Sequence, residues 1–295
     1  MKVLVTGGLG YIGAHVVDEL VNRGHSVDVV DGSSDHVNFD FVHQRVGRLL
    51  NRAVQSGLGE LCSEYDAIVH LAAFISVELS TREPHTYWHN NLTSLMELEQ
   101  LRTPHLIFAS TGTAFNPTSP YARTKVACES YITDVAAATP RWFDGHTIFR
   151  FYNVSGLAPG IRPTGQPTHL IRICAEAARG KRGDVKVFGT DYATKDGTAV
   201  RDYVHVQDIA ASIANAVEVG PVNTPFECLG TGMGYSVLEV IHEMKHVTNT
   251  SFPVVITDRR AGDDDIMICH ARSLYPHAAI TRTLSDMCLS AFRNV

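Results

Sequence analysis

Tyr121 and Lys125 stand in the pattern Tyr121-x-x-x-Lys125. On a helix, that spacing places both side chains on one face. An ammonium beside a phenol favours the phenolate, lowers its pKa and makes tyrosine usable as a general base near neutral pH. Such a pair is by itself common on solvated helix surfaces. Its weight here comes from Ser110-Thr111, a hydroxyl pair closing the apolar run Leu106-Ile-Phe-Ala109. Open parallel sheets bind ligands at the carboxyl ends of their strands, so hydroxyls at that place join the pair as candidates for acid–base chemistry.

A second constellation sits at the N-terminus. Thr6-Gly-Gly-Leu-Gly-Tyr-Ile-Gly13 contains Gly7-x-x-Gly10-x-x-Gly13 and, overlapping it, Gly8-x-Gly10-x-x-Gly13. Glycines there allow a tight turn and let a pyrophosphate approach backbone N–H groups at a helix start. The context is the required one. The pattern follows the β-branched run Lys2–Thr6 and opens a helical periodicity, and Asp31 ends the next predicted strand. The Asp31 carboxylate would accept hydrogen bonds from an adenosine ribose diol and repel a 2′-phosphate. A dinucleotide is therefore expected, and NAD rather than NADP.

Strands and helices must alternate to position these groups. Strands are expected at Lys2–Thr6, Ser26–Val30, Ala67–Leu71 and Leu106–Ala109, and helices at Ile12–Arg23, Pro84–Arg102 and Tyr121–Ala137. This alternation implies a parallel sheet covered on both faces. Residues 32–64 should hold one helix and one short strand, at positions the pattern does not give. After a loop at Gly156–Gln166 the elements become mixed. Helices are expected at Thr168–Arg179, Gln207–Glu218, Ser236–Val247 and Leu284–Phe292, with strands at Val185–Phe188 and Val254–Thr257.

Composition narrows the function classes. The chain has 295 residues, 44% of them apolar, and a formal net charge of −6 with no block of like charges. Bulk disorder is excluded, and nucleic acid or an anionic membrane is not an expected partner. No run is long and apolar enough for a membrane helix, and the N-terminal apolar stretch breaks too early for a secretion signal. The six cysteines lack a C-x-x-C pattern and read as reduced core thiols of a cytoplasmic protein. The 15 histidines show no H-E-x-x-H and no paired-ligand spacing, so no metal is expected. His205 reads as a structural residue.

Together the motifs resemble a known family. Gly7-x-x-Gly10-x-x-Gly13, His70-Leu-Ala-Ala73, Asn90-Asn91, Ser110-Thr111, Tyr121-x-x-x-Lys125 and Arg150-Phe-Tyr-Asn153 occur in the order of the extended short-chain dehydrogenase/reductase superfamily. The stretch Phe188–His205 and Asp258-Arg-Arg-Ala-Gly-Asp263 are similar to the UDP-glucose 4-epimerases within it. The resemblance implies an α/β fold: a Rossmann doubly wound parallel sheet over residues 1–153 and a smaller C-terminal α+β substrate lobe over 154–295. Residues 200–219 would pack back on the first domain. It implies that NAD takes the C4 hydride of a UDP-hexose and returns it to the other face. Tyr121 would remove the 4-OH proton, with Lys125 tuning it and Thr111 bonding the same hydroxyl. Cofactor contacts would come from Gly7, Gly10, Tyr11, Ile12, Gly13, Asp31, Leu71, Ala72, Ala73, Asn91, Ser110, Tyr121, Lys125 and Phe151. Substrate contacts would come from Thr111, Asn153, His169, Leu170, Arg201, Arg260, Asp263 and Met267, the two arginines gripping the pyrophosphate. The helices Pro84–Arg102 and Tyr121–Ala137 correspond to those that form a homodimer in this superfamily.

Departures from the family pattern are specific. Only Asn116-Pro-Thr-Ser-Pro120 separates Phe115 from Tyr121, where the family has a longer loop. Ile75 replaces a lysine near the cofactor phosphates, Arg48 falls where an aspartate contacts adenine, and His169 replaces an asparagine. Phe151 replaces a tyrosine. Met267 stands at the pocket wall, where size decides whether N-acetyl sugars enter. Competing readings are a 4,6-dehydratase, a uronate epimerase, a dehydrogenase that releases its cofactor and a non-catalytic dinucleotide-binding protein. Gly112-Thr113 after Thr111 argues against the dehydratase, which needs an acid and a base there.

Overall fold

The computed structural model describes residues 1–32, 37–165, 169–260, 263–269 and 280–295. The elements run β1 (Lys2–Thr6), α1 (Tyr11–Asn22), β2 (Ser26–Asp31), α2 (Phe39–His43), β3 (Arg48–Asn51), β4 (Ala67–His70), α3 (Val77–Arg82), α4 (Pro84–Met96), β5 (Thr103–Thr111), α5 (Pro120–Ala137) and β6 (Phe143–Phe151). They continue as β7 (Asn153–Ser155), α6 (Leu170–Ala178), β8 (Val185–Phe188), β9 (Val200–His205), α7 (Val206–Val219), β10 (Glu227–Leu229), β11 (Gly234–Ser236), α8 (Val237–Thr248), β12 (Val254–Thr257), β13 (Ile266–Met267) and α9 (Leu284–Asn294). Two compact units result. One comprises Met1–Phe151 with Ala210–Glu227, the other Tyr152–Ile209 with Cys228–Val295.

The first unit is built on a sheet in the order β3-β2-β1-β4-β5-β6, which β10 extends beyond β6. Strands β1 to β6 pair in parallel. Their central residues are buried on both faces, as Val3, Leu4 and Val5 or Ile68 and Val69 show, which is why these strands read as continuous apolar runs. Leu4, Ile68, Leu106, Phe108 and Ile148 of the sheet share one core with Leu95 of α4 and Cys128 and Ile132 of α5. The chain leaves β3 and resumes at β4 on the other side of β1. This reversal of strand order marks the place where such sheets take their ligand. The α/β class with a doubly wound parallel sheet is as expected.

Several local expectations need correction. The helix expected over Pro84–Arg102 stops at Met96, and a 3-10 turn follows over Glu97–Gln100. β5 extends beyond the expected Leu106–Ala109 at both ends. β6 went unpredicted because Asp144, Gly145, His146 and Thr147 interrupt its apolar pattern. Gly145 is required there, since a Cβ would lie 2.5 Å from Pro221 Cγ. The helix and strand expected within residues 32–64 are α2 and β3.

In the second unit, β9 pairs with β7 and β13 in parallel and with β11 antiparallel, while β8 and β12 form a separate parallel pair. Ile171 and Cys174 of α6, Val240 and Met244 of α8, and Met287 and Cys288 of α9 close one core over Val185 and Val187 of β8. β9 (residues 200–205) lies in this unit, whereas residues 210–219 of α7 belong to the first.

Candidate active site

The glycines form the tight turn that their spacing suggests. Gly7 has φ +73°, and a Cβ there would lie 2.8 Å from Ala72 N. A Cβ on Gly13 would lie 2.0 Å from Gly7 O. The turn is therefore packed directly against the Leu71–Ala73 segment that follows β4, bringing two predicted cofactor segments together. Gly10 is the N-cap of α1 and offers no side chain to its first-turn N–H groups. Tyr11 and Ile12, the first residues of α1, are partly buried. The Asp31 carboxylate, at the end of β2, accepts a hydrogen bond from Leu9 N at 3.0 Å. A close-approach turn, a helix N-terminus and an acid at the neighbouring strand end fit a dinucleotide.

Arg48 is corrected by register. It pairs with Asp28 at the start of the β2–β3 ladder, while Asn51 pairs with Asp31. Arg48 is thus at the wrong end of its strand to stand beside the glycine turn. Ile75 is 63% exposed and supplies no cation.

The acid–base residues converge at the carboxyl end of β5. Pro120 opens α5, and Ser119 caps it by accepting from Ala122 N at 3.1 Å. The inward face of α5 then carries Ala122, Lys125, Cys128, Glu129 and Ile132. Tyr121 hydrogen-bonds Thr111. Thr111 Oγ1 also lies 3.0 Å from Thr113 Oγ1. Lys125 is buried, and its Nζ donates to Ala109 O at 2.8 Å. Phe151 pairs in register with Thr111 across β5 and β6. Burial raises Tyr121 to about 12, partly countered by the Thr111 hydrogen bond, and lowers Lys125 to about 8. In the free protein the phenol is thus protonated, and the lysine is directed at the strand carbonyl.

Ser110 and Asn91 have partners that their motifs did not reveal. Ser110 Oγ donates to Glu129 Oε1. The same carboxylate receives Arg150 Nε at 2.9 Å and Arg150 Nη2 at 2.5 Å. The Arg150 guanidinium stacks 3.7 Å from the Phe226 ring centroid and 4.6 Å from that of Phe115. Glu129 and Arg150 went unassigned in the sequence, although Glu129 is one helical turn beyond Lys125. Asn91 bonds the backbone of Phe74 both ways, accepting from its N at 2.8 Å and donating to its O at 3.1 Å. It also donates to Thr124 Oγ1 at 3.0 Å. Its side chain fastens the loop after β4 to α4 and α5. His70 is fully buried beside Thr6 Oγ1 at 2.8 Å, and burial lowers it to about 3.

The second unit gathers part of the predicted substrate set. Arg201 pairs in register with Met267 across β9 and β13. Its guanidinium donates to Asp264 O at 2.8 Å and lies 3.8 Å from the Asp263 carboxylate. Arg260 stacks 3.8 Å from the Phe188 ring centroid and is exposed. It forms no ion pair among the described residues. Asn153 Nδ2 donates to Asp202 O at 3.1 Å, tying β7 to β9. His169 is the N-cap of α6 and Leu170 its first residue.

Two histidine pairs at i,i+4 spacing run against the expectation of no paired-ligand spacing. His85 and His89 stack on α4 with ring centroids 6.3 Å apart, and His242 and His246 on α8 at 6.5 Å. No cluster of three His, Cys, Asp or Glu side chains able to hold a metal occurs among the described residues. Among those residues, no helix is long and apolar enough to cross a membrane.

Comparison with known proteins agrees with this geometry. The UDP-glucose 4-epimerase of Bacillus subtilis is 33% identical, over 99% of this chain and 96% of its own length. The crystal structure of UDP-glucose 4-epimerase from Bifidobacterium longum in complex with NAD+ and UDP superposes with a TM-score of 0.88 at 31% identity, covering 99% of this chain and 97% of that one. The UDP-Glc/GlcNAc 4-epimerase of Campylobacter jejuni gives 0.79 at 31% identity, covering 99% and 98%. The model of the NAD dependent epimerase/dehydratase family matches residues 3–227. The chain belongs to the NAD dependent epimerase/dehydratase family.

Proposed function

We propose that this protein interconverts UDP-glucose and UDP-galactose by NAD-dependent oxidation and re-reduction at sugar C4. The observation that carries this reading is the hydrogen-bonded Thr111–Tyr121 pair, with buried Lys125 one turn along α5, at the carboxyl end of β5. Bound NAD supplies the hydride acceptor and donor. The Gly7–Gly13 turn and the start of α1 would hold its pyrophosphate, and Asp31 its adenosine ribose. Thr111 accepts and orients the sugar 4-hydroxyl. Tyr121 takes that proton and returns it. Its pKa of about 12 in the free protein is too high for this role. Lys125 already stands on the same helix face in that state, so the base becomes competent only with a further positive charge, which the oxidised nicotinamide of bound NAD would supply.

Arg201, Arg260 and Asp263 of the second unit would hold the nucleotide, with arginine forks suited to phosphate oxygens. Asn153, His169 and Leu170 would complete the set. A second reading, the N-acetylated pair, is favoured by Met267. It is flexible and partly buried, and leaves more room than an aromatic ring would. We assign the enzyme to the cytoplasm on its six free cysteines. A homodimer through α4 and α5 is proposed on the exposed apolar side chains of α4, Trp88 at 39% and Met96 at 42%.

The test is a product assay with NAD and UDP-galactose, then UDP-N-acetylgalactosamine, resolving the C4 epimers by chromatography. Conversion without net reduced cofactor supports the reading. No conversion of either, with NAD and UDP binding intact, removes it. Arg260→Ala should weaken UDP binding measured by calorimetry, and unchanged affinity would remove Arg260 from the nucleotide grip.

A further inference from the structure

Two cysteines of the second unit lie side by side. Cys228 is the middle residue of β10 and is 2% exposed; Cys269, just beyond β13, is 4% exposed. Their side chains hydrogen-bond each other, and the Tyr152 hydroxyl bonds both. The arrangement is built by the backbone. Buried Asp202 holds the two cysteine segments together through its carboxylate. It accepts from Thr231 N at 2.9 Å and Gly232 N at 2.9 Å on one side, and from Cys269 N at 3.1 Å on the other. Gly230, two residues beyond Cys228, also packs directly on Cys269: a Cβ there would lie 2.5 Å from Cys269 Cβ. A buried carboxylate satisfied by three backbone N–H groups is a rigid anchor. The thiols are therefore neighbours by construction and not by side-chain chance.

We propose that Cys228 and Cys269 are a redox pair that a peroxide converts to an internal disulfide, tethering the segment that carries Met267 to β10. One thiol is oxidised by peroxide to a sulfenic acid, releasing water. The second thiol attacks that sulfur, forms the S–S bond and expels a second water. The two cysteines lose two electrons and two protons, and one peroxide is reduced to two waters. A thiol or dithiol reductant reverses the step.

Two features set how the pair behaves. Tyr152, which bonds both thiols, is partly exposed. The mutual hydrogen bond and burial raise the Cys269 thiol well above its ordinary range, so thiolate is scarce. The pair is therefore expected to oxidise slowly. The consequence of the bond falls on the substrate residues of this unit. Met267 precedes Cys269 in the same segment and pairs with Arg201 in the β9–β13 ladder. The thiol chemistry stands apart from the epimerase reading; only its bearing on UDP binding rests on it.

The test treats the full chain with hydrogen peroxide, quenches it, unfolds the protein in guanidinium with N-ethylmaleimide present to block free thiols, and maps peptides by mass spectrometry. The expected product is a cross-linked peptide pair containing Cys228 and Cys269, two hydrogens lighter than the sum and separated by dithiothreitol. Calorimetry should show UDP affinity altered in the oxidised protein and restored on reduction, and unaltered by peroxide in Cys228→Ser. Both cysteines recovered as maleimide adducts after prolonged peroxide, or one recovered as a sulfinic acid without a link, overturns the pair. A disulfide that leaves UDP affinity unchanged overturns the tether. The wild-type map decides the first question without any variant, so a poorly folding Cys228→Ser protein leaves the proposal testable.

Discussion

At the scale of single residues, Tyr121 is the proposed base, and Glu129 holds Ser110 and Arg150 nearby. Tyr121→Phe removes the hydroxyl proposed to carry the proton while keeping the ring. Turnover should fall by about 10²–10⁴-fold with NAD affinity unchanged; epimer chromatography and a binding titration check the two halves separately. Glu129 makes a different prediction. Its carboxylate is shared by Ser110 and Arg150 in a buried site. Glu129→Ala leaves the guanidinium without its counter-charge, so unfolding free energy should drop by about 3–5 kcal/mol. Ser110→Ala deletes one hydrogen bond and should cost only about 0.5–1.5 kcal/mol. Denaturant titration ranks the two. A reversed order would mean that Arg150 draws its support from Phe226 and Phe115 more than from Glu129.

At the scale of elements, the glycine turn is the least forgiving piece of backbone. Gly13→Ala would force a methyl into Gly7 O. Cofactor binding should be lost, while circular dichroism still reports the helices and the sheet. This turn was legible in the sequence because its determinants are local: glycines, a following helix and an acid at the next strand end. Tyr121 and Lys125 were legible for the same reason, as one helical turn. Ser110 and Asn91 were found as motif members, but their partners were not, because Glu129 reaches Arg150 across from α5 to β6 and Asn91 reaches back to the loop at Phe74. Such pairings follow from packing and leave no periodic trace. Arg48 was misplaced because only the β2–β3 register says which end of β3 it occupies. β6 was missed because its polar middle hides a strand that is buried on both faces.

At the scale of the whole molecule, buried imidazoles set the acid limit. Burial lowers His15 to about 4, His70 to about 3 and His105 to about 4, from an ordinary 6.5. Below pH 6.5 the unfolded chain takes up protons that the folded chain refuses, so stability is full above that pH and declines as pH falls toward 4. The thermal midpoint should therefore drop steadily over that window, and a flat profile would show that these rings acquire protons without unfolding. A last consequence follows from the path of the chain. The first unit is not finished at Phe151, since it includes Ala210–Glu227. Arg23 bonds Asn215 at 2.7 Å, and His146 N bonds Asn223 at 2.9 Å. During synthesis the ribosome delivers six parallel strands long before the segment that completes their packing. The nascent sheet must wait through some sixty residues of the other unit, Tyr152–Ile209, with the β6 edge open to solvent. Translation speed over that interval, and chaperones that shield an open strand edge, then become determinants of yield for this protein as much as its equilibrium stability.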